Sequence, residues 1–69
     1  MSIEEVIDLI GQLEPGRDIE SLIEFPDLYT YRMSGEESGS FTSCIYKETG
    51  QKDYISIFDL DLEKAERII

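Results

Sequence analysis

Residues 40–59, SFTSCIYKETGQKDYISIFD, constrain the fold more than any other stretch, because two β-prone runs flank a Thr49-Gly50 turn. A glycine there can take the left-handed backbone that a tight hairpin demands. Two registers fit. A two-residue loop sets Glu48 opposite Gln51, and a three-residue loop with Gly50 as a bulge sets Lys47 opposite Gln51. The second is favoured, since it pairs Phe41 with Ile57 and Ser43 with Ile55 and gathers Phe41, Ile45, Ile55 and Ile57 on one apolar face. Thr42, Cys44, Tyr46, Tyr54, Ser56 and Phe58 then share the other face.

The flanking segments read as acidic helices around this hairpin. Residues 2–13 carry a capping box, with Ser2 as N-cap and Glu5 as the third helical residue. Ile3, Val6, Ile7, Ile10 and Leu13 recur at helical spacing as the buried stripe, and Pro15-Gly16 ends the segment. Asp18 caps a second, shorter helix through about Glu24, with Ile19, Leu22 and Ile23 inward and Pro26 closing it. Leu28 to Met33 alternates around Tyr29, Tyr31 and Met33 and reads as a strand. Ser34 to Ser40 is a loop with an acidic tip. Asp59 or Asp61 caps a last helix with Leu62, Ala65 and Ile69 inward. The expected fold is α+β, a three-stranded antiparallel meander with two short N-terminal helices and one C-terminal helix, in a single domain over residues 1–69.

Composition narrows the function. No apolar run approaches the roughly 18 residues of a membrane span, and no secretory pattern opens the chain, so a cytoplasmic protein is expected. There is no histidine, and the single cysteine, Cys44, has neither a disulfide partner nor a base to activate it. One thiol with carboxylates is a poor set for zinc or copper, so no metal or other cofactor is expected. Asp59-Leu60-Asp61-Leu62-Glu63 spaces its acids faintly like a calcium loop but lacks the central glycine and the distant glutamate. So short a chain is not expected to have room for a substrate cavity of several hundred Å³, which argues against an enzyme.

The informative quantity is charge. Sixteen acidic against six basic residues give a net −10, beyond the roughly 2 to 8 usual for a small domain. Such a chain is repelled by phosphates, so direct nucleic-acid binding is not expected. The acids form clusters at Glu4, Glu5 and Asp8, at Glu20 and Glu24, at Glu36 and Glu37, and at Asp59, Asp61 and Glu63. Taken singly, each is an ordinary solvated helix face, loop tip or cap. Their sum exceeds what solubility requires. A basic groove on another protein would be steered toward them and could be occupied in place of DNA or RNA.

The expected function is therefore a non-catalytic acidic inhibitor that blocks a basic, nucleic-acid-binding surface of a partner protein. Tyr46 and Tyr54 would supply a desolvated centre to that contact. Size, charge and architecture are of the sort seen in phage-encoded DNA mimics and in anti-restriction and anti-CRISPR inhibitors, a similarity of class that no motif carries. The alternative is an accessory or regulatory subunit, or a homodimer, that associates through an open sheet face, with charge serving solubility alone.

Overall fold

A computed structural model describes residues 1–37 and 39–69. One helix, α1 (Ile3–Leu13), precedes a five-stranded antiparallel sheet of β1 (Ile19–Glu24), β2 (Leu28–Met33), β3 (Phe41–Tyr46), β4 (Lys52–Ser56) and β5 (Glu66–Arg67). The strands lie in the order β4-β3-β2-β1-β5. Ser38, which falls in the expected acidic loop, lies outside the described residues. The Cα radius of gyration is 11.1 Å, close to the value of about 11 Å that the chain length sets for a compact domain.

The helix forms for the reasons its sequence shows. Ser2 accepts from the Glu5 amide and the Glu5 carboxylate accepts from the Ser2 amide, so the capping box is complete. Val6 and Ile10 are fully buried against Leu22, Tyr29, Tyr31, Met33 and Ile45, which fixes α1 on one face of the sheet. Ile3 and Leu13, expected in the same stripe, lie at its margins and are exposed.

The second expected helix is instead strand β1, and the reason is a bulge. Pairing with β2 slips between Ile19 and Ser21, from Ile19 opposite Met33 to Ser21 opposite Arg32. The extra residue lets Ile19 and Leu22, three apart, pack on the same core face. A spacing that reads as helical is thus produced by an irregular strand. Ile23 faces the other way, toward Phe25, Leu28 and Cys44. Pro26-Asp27 sits at the tip of the β1–β2 hairpin, closed by the Phe25 amide donating to the Leu28 carbonyl at 2.8 Å.

The expected C-terminal helix is also absent. The chain leaves β4 in two 3-10 turns, Ile57–Asp59 and Leu62–Lys64, the second capped by Asp61. It crosses the face opposite α1, where Leu60 packs beside Phe25, Leu28 and Cys44, and pairs along β1 at the far edge. Leu62 and Ala65 are exposed, and Ile68 rather than Ile69 reaches the core. Pairing with the free edge of β1 satisfies backbone groups that an isolated helical turn would leave open.

The central hairpin forms, but in a third register. Its loop spans four residues, Lys47 to Gly50, with the Tyr46 amide donating to Gln51 and the Gly50 amide donating to Tyr46. Gly50 takes φ 72°, the left-handed conformation expected of it. Phe41 consequently pairs with Ser56, Ser43 with Tyr54, and Ile45 with Lys52. A slip of one residue turns every β4 side chain to the opposite face. Ile55 thereby joins Cys44 and Leu60 in a second apolar layer.

Candidate protein-binding surface

The helix covers only part of its face. On that face Tyr31, Ser43 and Tyr54 form one cross-strand row, with Phe41 beyond it. Tyr31 is 2% exposed, whereas Tyr54 and Phe41, on the outer strands, are 63% and 68% exposed. Beside them the crossing segment leaves Phe58 and Leu62 exposed, at 83% and 71%. These side chains rim an open cleft of about 760 Å³ that wraps the Phe41 end of the outer strands. Glu14, Tyr31, Ser43 and Tyr54 line it from the helix side, and Ser21, Thr30, Arg32 and Thr42 from the other. Ile23, Phe25, Glu36, Glu37, Gly39, Ile57 and Leu60 complete it. A short chain therefore does have room for a cavity of this size, because its C-terminal segment crosses the sheet without sealing it.

Of the two tyrosines expected to share a contact centre, only Tyr54 lines this cleft. Tyr46 lies on the opposite face of the sheet, half-buried against the Cys44 layer. The Lys52 ammonium sits 3.5 Å above the Tyr54 ring centroid and so keeps one face of that ring occupied. Phe58 belongs to the sheet face read from the sequence as a contact surface, whereas Phe41 and Leu62 were missed as contact candidates. Sequence reasoning assigned Phe41 and Leu62 to the interior, from a register and a helix that the chain does not adopt.

The acidic clusters divide between the two sides of the sheet. Glu4, Glu5 and Asp8 are exposed on α1, while Asp59, Asp61 and Glu63 are exposed on the segment crossing the other face. The loop and the helix end are brought together by Arg17, which lies 3.4 Å from Glu36 and 3.8 Å from Glu14. Glu20 faces Arg32 at 3.4 Å, Glu24 faces Lys47 at 2.7 Å, and Asp61 faces Lys64 at 4.0 Å. Four of the expected contact acids, Glu20, Glu24, Glu36 and Asp61, are thus ion-paired within the fold, and a fifth, Glu5, is held by the capping box. No group of three or more potential metal ligands converges among the described residues.

Glu24 and Lys47 form the most enclosed of these pairs. The Lys47 hydrogen bond holds the Glu24 carboxyl below the usual carboxylate range, against the opposing cost of burial. A depressed folded value stabilises the protein above the free-glutamate range and ceases to do so as pH falls through it. Glu24→Gln should therefore lower stability by up to about 1 kcal/mol at neutral pH. The gap from the parent should close below about pH 4. Urea titrations at pH 7 and pH 3 measure it, and an equal gap at both would show that the pair contributes through packing alone.

Cys44 is fully buried, and burial, with Asp53 nearby, pushes its thiol up, away from the range of a reactive thiolate. The outer edge of β4 is also guarded. Alternation along β4 turns the Tyr54 amide away from β3, and the Asp53 carboxylate accepts from it at 2.8 Å. Addition of another strand at that edge would have to displace this bond.

Compared with known proteins, the chain matches no family model, and no curated protein or solved structure shows significant similarity to it. No helix among the described residues is long and apolar enough to cross a membrane.

Proposed function

We propose that this is a non-catalytic, acidic protein-binding module of the cytoplasm that occupies a basic surface of a partner protein, as a DNA-mimic inhibitor does. The observation that carries the reading is the presence of an exposed aromatic cleft in a strongly negative chain. Phe41, Tyr54 and Phe58 stand exposed at a cleft lined by Glu14, Glu36 and Glu37, in a chain of net −10. Aromatic groups of this kind supply the desolvated centre of a protein contact, and surrounding carboxylates supply steering and charge-assisted bonds to Lys and Arg.

The arrangement of the acids refines the proposal. Glu4, Glu5 and Asp8 cannot touch the same flat surface as Asp59, Asp61 and Glu63, because α1 and the crossing segment lie on opposite faces of the sheet. Contact is assigned to the cleft end, with Glu37 and Tyr54 at the cleft and Asp59 on the adjoining crossing segment. The helix acids act at longer range on the rate of approach.

Salt response tests it. A pull-down from source lysate at about 50 mM and about 500 mM salt should recover basic nucleic-acid-binding proteins only at the lower concentration, where surface charges are weakly screened. Heparin or DNA should displace them. Partners retained at both concentrations and unaffected by heparin would instead support an accessory subunit docked through the apolar cleft, with its charge serving solubility.

A further inference from the structure

We infer that the cleft takes large apolar side chains of the partner, and that the partner's lysines and arginines stay at its rim. This rests on the reading of the protein as an acidic binding module and adds the chemistry of the partner's central contact. The cleft is concave, and part of its lining is apolar core. Phe58 and Leu62 are 83% and 71% exposed, whereas Phe25 and Thr30, which line the same cleft, are 5% and 4% exposed. Ile23, Phe25 and Leu60 carry the cleft into the second apolar layer. Apolar side chains seated on such a surface are withdrawn from water and dominate a contact's affinity.

A cation would gain little inside. Three of the six basic side chains, Arg17, Arg32 and Lys52, are already committed at this cleft. Arg17 reaches Glu14 at 3.8 Å, Glu36 at 3.4 Å and the Ser34 carbonyl at 3.2 Å. Arg32, itself a lining residue, faces Glu20 at 3.4 Å, and the Lys52 ammonium lies 3.5 Å from the Tyr54 ring centroid. An incoming guanidinium or ammonium would have to displace one of these three and lose its own hydration, whereas an apolar side chain displaces only water. Charge complementarity therefore acts around the cleft. Glu37 is exposed at its lining without an ion pair among the described residues, and Asp59 is exposed next to Phe58. Lysines and arginines of a basic partner can meet both while still hydrated. A second copy of the chain, itself at −10, meets the same acids and is repelled.

The probe is an acetylated and amidated lysine-rich peptide with phenylalanine at its centre, titrated into ¹⁵N-labelled protein at low salt. One control replaces the phenylalanine by serine, and another replaces every lysine by glutamate. The phenylalanine peptide should shift the amides of Phe25, Thr42, Phe58 and Leu60. It should bind about 10- to 100-fold more tightly than the serine peptide, the effect of burying one large apolar side chain. Phe58→Ser and Leu62→Ser, both at exposed positions, should remove most of that difference and leave the serine peptide unaffected. Equal affinity for the phenylalanine and serine peptides, or a preference unchanged in both variants, would overturn the apolar assignment while leaving the acidic module standing. Cleft shifts that appear on concentrating the protein alone would overturn it too, by seating a second copy there. Equal affinity for the phenylalanine peptide and its glutamate counterpart would instead overturn the basic partner while the cleft's preference for apolar side chains held. Absence of binding by every peptide would overturn both.

Discussion

Replacing Leu22 by alanine is expected to remove a large share of the stability of the fold. Leu22 is fully buried at the centre of the core, among Val6, Ile10, Tyr29, Tyr31 and Met33. Truncating such a leucine costs about 2 to 5 kcal/mol, from lost transfer free energy and the cavity left behind. At roughly 0.05 to 0.15 kcal/mol per residue, a chain of this length has on the order of 3 to 10 kcal/mol of stability in total. The loss is therefore a large share of the whole. Leu62→Ala, at a position 71% exposed, is the matched control and should shift the urea midpoint little. Equal midpoints for the two variants would show that β1 is not the strand on which the core is built.

Leu22 also marks where the sequence stops being legible. The helix α1, its capping box and the strand Leu28–Met33 follow from local signals that tertiary contacts reinforce. The segment from Ile19 to Glu24 does not, because a bulged strand and a helix place Ile19 and Leu22 on one face equally well. A signal was present in the Pro26-Asp27 turn between one run carrying two isoleucines and another carrying two tyrosines and a threonine, which favours a hairpin over a helix stop. The C-terminal residues misled for a related reason. Leu62, Ala65 and Ile69 keep helical spacing, yet the free edge of β1 offers Ile68 and Ile69 backbone partners that no local pattern reveals. The cleft inherits both errors, since its aromatic rim exists only once the hairpin register and the crossing segment are known. The charge needed no fold to be read, but its division between two faces did.

A chain ending at Ala65 is expected to lose about 2 to 4 kcal/mol and to associate through the exposed edge of β1. The Ile68 and Ile69 amides donate to the Leu22 carbonyl at 2.8 and 3.1 Å, and the Leu22 amide donates back to Ile69 at 3.4 Å. Arg67 and Glu66 pair opposite Ile23 and Glu24, and Ile68 is half-buried against the main core. Net contributions of about 1 kcal/mol per hydrogen bond, plus the apolar area of Ile68, give that range. The consequence extends beyond stability. Without β5 the edge of β1 offers Leu22, the residue whose side chain anchors the core, as an open backbone template. Urea denaturation would report the lost stability, and gel filtration at rising concentration would report the association. The crossing segment would also lose its far anchor, so Leu60 would leave the Phe25–Leu28–Cys44 layer and Cys44 would become reactive toward thiol reagents. A truncated chain that stays monomeric, with its midpoint unmoved and its thiol protected, would mean that the crossing segment is held by Leu60 alone and that β5 is an ornament to the edge rather than its seal.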